Sequence, residues 1–127
     1  MHRSRFAGII IDCHTDDLQA AADFWSAALG YETGGSDGGK YIELEPPDRD
    51  PYIEVQKVDH ASRVHIDIES DDVEAEVRRL ESLGAKRMES VRTWVVMEAP
   101  DGQRFCVVRR AHKYFDETAN RWNEEGE

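Results

Sequence analysis

Glu54 and His65 are the side chains best suited to chemistry in this chain of 127 residues. A carboxylate and an imidazole, each within a strand-like stretch, serve as general base and general acid where they meet in a cavity. The same two groups equally suit a structural hydrogen-bonded pair. Asp12 and Asp67 occupy equivalent places in two similar stretches, facing either a ligand or neighbouring turns, as strand-end aspartates commonly do. Cys13 and Cys106 each sit in an apolar strand pattern, form no CxxC pair, and read as reduced structural thiols. His14, near a helix start, and His60, in the loop Val58-Asp59-His60-Ala61, read as solvated. No Ser-His-Asp set or nucleophile elbow is present. The run Gly34-Gly35-Ser36-Asp37-Gly38-Gly39 separates two strands instead of preceding a helix, which makes it a hairpin tip and not a phosphate cradle.

The elements that position these residues occur twice. Asp16-Asp17-Leu18 recurs as Asp71-Asp72-Val73, 55 positions later (16 to 71), and Leu29-Gly30 recurs as Leu83-Gly84. A module repeated with its helix start, helix end and strands implies a pseudo-symmetric fold. In the first module Phe6 to Cys13 reads as a buried strand. A helix capped by Thr15 or Asp16 follows, with Leu18, Ala21, Ala22, Trp25, Ala28 and Leu29 on one face and Gly30 as its left-handed stop. Strands at 31–33, 41–45 and 52–58 complete a βαβββ unit.

The second module repeats it, with a strand at 63–69 and a helix capped by Asp71 or Asp72 that carries Val73, Val77, Leu80 and Leu83 inward. Strands at 86–91, 93–98 and 104–109 follow. His112 to Asn123 reads as a third helix with Tyr114 or Phe115, Thr118 and Trp122 on one face, a contact for the body or a second subunit. Residues 124–127 read as a frayed end.

One domain's worth of chain obliges the two modules to share a core. We therefore expect a single domain, with module one at about 6–58, module two at about 62–109 and a C-terminal helix at about 111–123. A formal net charge of −11 argues against nucleic acid or an anionic membrane surface and favours neutral or cationic ligands. No apolar run approaches the roughly 20 residues of a membrane helix, so the expectation is a cytoplasmic protein.

Strand alternation assigns the faces. Ile9, Ile11, Ile42, Leu44, Ile53 and Val55 belong under the first helix. Ile10, Asp12, Tyr41, Glu43, Tyr52, Glu54 and Gln56 take the opposite face, and in the second module His65, Asp67, Trp94, Val96, Cys106 and Val108 do so. Aromatic rings mixed with carboxylates describe a pocket wall with placed polar groups better than a plain wet surface. The expected ligand-binding residues are thus Asp12, Tyr41, Tyr52, Gln56, Asp67, Trp94 and Cys106.

The βαβββ repeat, Asp17-Leu18 with Phe24-Trp25 and Leu29-Gly30-Tyr31, the strand Val64-His65-Ile66-Asp67, and Pro100-Asp101-Gly102-Gln103 with Phe105 resemble the glyoxalase-like branch of the vicinal oxygen chelate superfamily. That superfamily includes glyoxalase I, fosfomycin resistance enzymes, extradiol dioxygenases and bleomycin resistance proteins. The resemblance covers about residues 6–109 and implies an α+β fold of two βαβββ modules whose curved sheets enclose a cavity. In metal-dependent members it implies a divalent ion on two histidines and two glutamates, at positions that fall here on Ile10, Glu54, His65 and Cys106. An isoleucine ligates nothing, and one imidazole with one carboxylate holds a hard ion loosely. Glu54, His65 and Cys106 together would suit zinc.

The resulting expectation is a homodimeric, bleomycin-resistance-like protein that binds a small organic, cationic or aromatic molecule without a cofactor. In that reading Glu54 and His65 are the candidates for catalysis. The alternative is a lyase, isomerase or dioxygenase dependent on zinc, nickel, manganese or iron.

Overall fold

The computed structural model describes residues 1–123; the end expected to fray lies outside them. Two compact units divide the chain, one of residues 8–65 and one of Met1–Ala7 with the chain from Ile66 onward. The described residues form nine strands and three helices, an α+β protein built from the two expected βαβββ modules.

In the first unit β1 (His2–Cys13), from Gly8 onward, leads into α1 (Leu18–Leu29), followed by β2 (Glu32–Ser36), β3 (Tyr41–Glu45) and β4 (Tyr52–Lys57), with strand order β2-β3-β4-β1. Asp17 caps α1 in place of the expected Thr15 or Asp16. Its carboxylate accepts the Ala20 N–H at 3.0 Å, and the Thr15 hydroxyl accepts the N–H of Asp17 and so braces the turn. Gly30, in the left-handed region, ends the helix as expected.

Ile11, Cys13, Ile42, Leu44 and Val55 pack with Leu18 and Ala22 into one core, with Ile9 and Ile53 against it. Each fully buried aliphatic side chain contributes about 1.5–3 kcal/mol, against about 1 kcal/mol for a cap, so the apolar face sets the register. Ala28 and Leu29 are exposed, contrary to the helix-face pattern, because the last turn of α1 lies outside that core. β2 runs on into the glycines expected as a turn, and one extra residue between Thr33 and Ser36 makes a bulge against β3.

The second unit holds β5 (Arg63–Ser70) from Ile66 onward, then α2 (Val73–Ser82), β6 (Lys86–Val91), β7 (Trp94–Glu98) and β8 (Arg104–Arg109), in the order β5-β8-β7-β6. Asp72 caps α2 through the Ala75 N–H at 3.0 Å. Val77 and Leu80 cover Val95, Met97, Phe105 and Val107. Leu83, expected inward, is 64% exposed because it is the capping residue, past the helical stripe.

The expected third helix forms only as α3 (Phe115–Thr118). Ala119 then turns extended, and β9 (Asn120–Trp122) pairs antiparallel with His2–Ser4 of β1, which begins at His2 and not at Phe6. Tertiary partners override the helical spacing here. The buried Glu69 carboxylate accepts the N–H groups of Ala111 and His112, Phe115 is fully buried, and Trp122 donates its indole N–H to the Ser4 hydroxyl. No helix among the described residues is long and apolar enough to cross a membrane.

Candidate functional site

Register across β1, β4 and β3 lines up the polar face of the first unit in rows. Asp12 stands beside Gln56, and Gln56 beside Tyr41; Ile10 stands beside Glu54, and Glu54 beside Glu43; Gly8 stands beside Tyr52. This is the face read from alternation, turned away from the core under α1. Gly8 marks a close approach the sequence signalled only as a glycine inside a strand, since a Cβ there would meet the Tyr52 ring at 2.3 Å. The ring of Tyr52 therefore lies across β1.

Glu43 and Glu54 sit directly opposite one another across the β3–β4 ladder, an arrangement in which like charges repel. Their negative field reaches Tyr41. Desolvation is the larger cause that pushes its phenol up, with the charges of Glu54, Glu43 and Asp37 adding to it, so the phenol stays protonated at neutral pH.

The carboxylate hydrogen-bonded to His65 is that of Asp12. Asp12, 3% exposed, places Oδ2 at 2.7 Å from His65 Nδ1, and Arg63 Nε lies 3.9 Å from the same oxygen. A carboxylate accepts, so Nδ1 donates and Nε2 is the nitrogen turned away from Asp12. Sequence reasoning placed both groups on one type of face but paired His65 with Glu54; nothing in the spacing signalled the Asp12 contact. Glu54 is half-buried beside Ile10.

On β5 and its parallel neighbour β8, Asp67 stands opposite Cys106. Trp94 begins β7, half-buried, on the face that Val96 shares with Cys106. Cys13 is buried in the first core, and burial, followed by the charge of Asp12, pushes its thiol up. His14 and His60 are exposed, as expected.

The glyoxalase-like domain family model matches residues 8–108. The chain belongs to this glyoxalase-like family. None of the curated proteins compared with it matches in sequence. Among solved structures, this glyoxalase-like chain is similar to methylmalonyl-CoA epimerase from Mycobacterium tuberculosis, at 17% identity and TM-score 0.59, over 84% of this chain and 87% of that one. It is also similar to homoprotocatechuate 2,3-dioxygenase from Brevibacterium fuscum, at 16% identity and TM-score 0.61, over 91% of this chain but only 41% of the dioxygenase. A third is a glyoxalase/bleomycin resistance protein/dioxygenase superfamily member from Vibrio splendidus, at 16% identity and TM-score 0.51, over 84% and 99%. At these identities the likeness is one of fold, and the fold hosts several chemistries.

The metal positions implied by the family resemblance do not fit this chain. Ile10 is apolar and 3% exposed, and it stands beside Glu54 where a second donor would be needed.

Proposed function

We propose that this glyoxalase-like protein binds a small organic cation on the polar face of its first module, between the Tyr41 and Tyr52 rings and the Glu43 and Glu54 carboxylates. The observation that carries this reading is the facing pair Glu43 and Glu54. Two like charges set directly opposite on a ladder destabilise it, and a bound cation offsets that cost while neutralising both. The flanking rings add cation–π attraction of about 0.5–2 kcal/mol each. The net charge of −11 supports the same sign of ligand.

Calorimetric titration with benzyltrimethylammonium chloride tests the reading. Binding at sub-millimolar concentration is expected, weakened about tenfold in Glu43→Gln and in Glu54→Gln, equivalent to about 1.4 kcal/mol. An absence of heat at millimolar concentration in the wild type would count against it, as would wild-type affinity retained in both variants.

A further inference from the structure

We infer that the outer side of α1, centred on the ring of Phe24, is a docking surface for a short basic segment of a partner protein, with an arginine or lysine of that segment over the ring. This surface lies on the other side of the first module's strands from Glu43 and Glu54 and does not depend on cation binding there.

α1 carries apolar residues on both of its sides. Leu18, Ala22 and Trp25 pack inward against the first core. Ala20, Phe24, Ala27 and Ala28, spaced at i, i+4, i+7 and i+8, form a second stripe, and all four are exposed. A stripe with that spacing is ordinarily the face a helix buries. Phe24 is 61% exposed, yet Trp25, itself packed on the core, meets its ring in a T-shaped contact at 5.1 Å. A ring already braced on one side loses little further freedom when a partner covers the other.

The second module shows what covers the equivalent positions. Aligning the helix caps, Asp17 on Asp72, lays Ala20 on Ala75 and Phe24 on Arg79. Ala75 is buried and Arg79 half-buried, because the start of β1 and β9 reach that side of α2: His2 bonds Glu76, and the Trp122 ring lies 3.8 Å from the Arg79 guanidinium. There the helix supplies the cation and an extended segment supplies the ring. At α1 the helix supplies the ring, so the complementary group on a covering segment is a cation.

Charge selects the same partner. Residues 8–65 hold twelve Asp and Glu against four Lys and Arg. Exposed Asp16 and Asp17 stand before α1, exposed Glu32 after it, and Asp23, which accepts a hydrogen bond from Gln19 at 2.9 Å, borders the stripe one turn from Ala27. A second copy of the chain would bring an equally acidic surface against this one, whereas a basic segment is drawn toward it.

The test is a titration of the isotope-labelled whole chain with a short blocked peptide that alternates arginine and valine, read by amide chemical shifts. Saturable shifts at Ala20, Phe24, Ala27 and Ala28 are expected, with sub-millimolar affinity that falls as salt rises. Phe24→Ala should weaken binding about tenfold, and Phe24→Leu, which keeps an apolar side chain without the ring, about three- to fivefold. The same peptide with citrulline in place of arginine should bind about tenfold more weakly to the wild type. Circular dichroism identifies any variant that fails to fold, and the comparison of the two peptides on the wild type then carries the test. Equal affinity for both peptides overturns the basic partner. Shifts confined to β3 and β4 around Glu43 and Glu54 overturn the surface, as does unchanged affinity in Phe24→Ala. A wild-type dimer in sedimentation that Phe24→Ala converts to monomer also overturns it, in favour of a second copy.

Discussion

In α1 the carboxylate of Asp17 accepts the Ala20 N–H at 3.0 Å, and in α2 the carboxylate of Asp72 accepts the Ala75 N–H at the same distance. One residue beyond those alanines the two modules part. Ala21 of the first corresponds to Glu76 of the second, which is fully buried and held by His2 at 2.8 Å and by both arms of Arg79 at 2.8 Å. Arg79 in turn lies 3.8 Å over the Trp122 ring. The start of β1 and the last strand close over α2 and satisfy these charges, whereas α1 leaves Phe24 and Leu29 exposed. Repetition extends to what a helix needs locally, while buried polar groups depend on which further segments reach them.

The largest effect expected from breaking this contrast is in Glu76→Ala. Removing one partner of a buried ionic network typically costs about 3–5 kcal/mol, which chemical denaturation would read as a lowered midpoint. A loss under about 1 kcal/mol would mean that apolar packing, and not the network, holds α2.

Acid should separate the modules next. Burial raises the Glu76 carboxyl, but hydrogen bonds from Arg79, His2 and Ser4 outweigh it and leave it below the ordinary value. Asp71 is likewise lowered, with burial opposing and Arg3 prevailing. A folded-state value below the unfolded one gives stability that is present above about pH 4 and lost as pH falls through the folded value. Amide hydrogen exchange below that pH is expected to loosen α2 and β9 before β3 and β4. The reverse order would contradict the asymmetry.

Trp122→Ala should cost about 1–2 kcal/mol through the lost contact with Arg79, and it should raise exchange in β9 before any other strand. Asp17→Ala and Asp72→Ala should each cost about 1 kcal/mol. Thermal melts showing values apart by more than a few tenths would mean the two caps are not equivalent. Smallest is Glu74→Ala, where the bond from Arg87 at 2.6 Å is exposed, and the change should stay within about 0.5 kcal/mol.

Much of the fold was legible because it rests on short-range chemistry. The period of two that put Ile42, Leu44 and Val55 on one face and Tyr41, Glu43 and Glu54 on the other follows from strand geometry, and the core under α1 has that composition. The stretch from His112 was misread because a four-residue helix and a three-residue strand carry too little pattern to declare themselves. Their form is set by the Glu69 carboxylate and by the edge of β1.

The candidate site divides in the same way. That Tyr41, Glu43, Tyr52 and Glu54 share a face was determined by the sequence alone, since alternation requires it once the strands exist. So was the failure of the family's metal positions, because isoleucine at position 10 has no donor in any conformation. Only the tertiary structure decided that His65 bonds Asp12, and that Asp67 and Cys106 stand opposite each other on β5 and β8. Those contacts join residues far apart in the chain. Their distances are set by strand register and parallel pairing, neither of which a run of residue types specifies by itself.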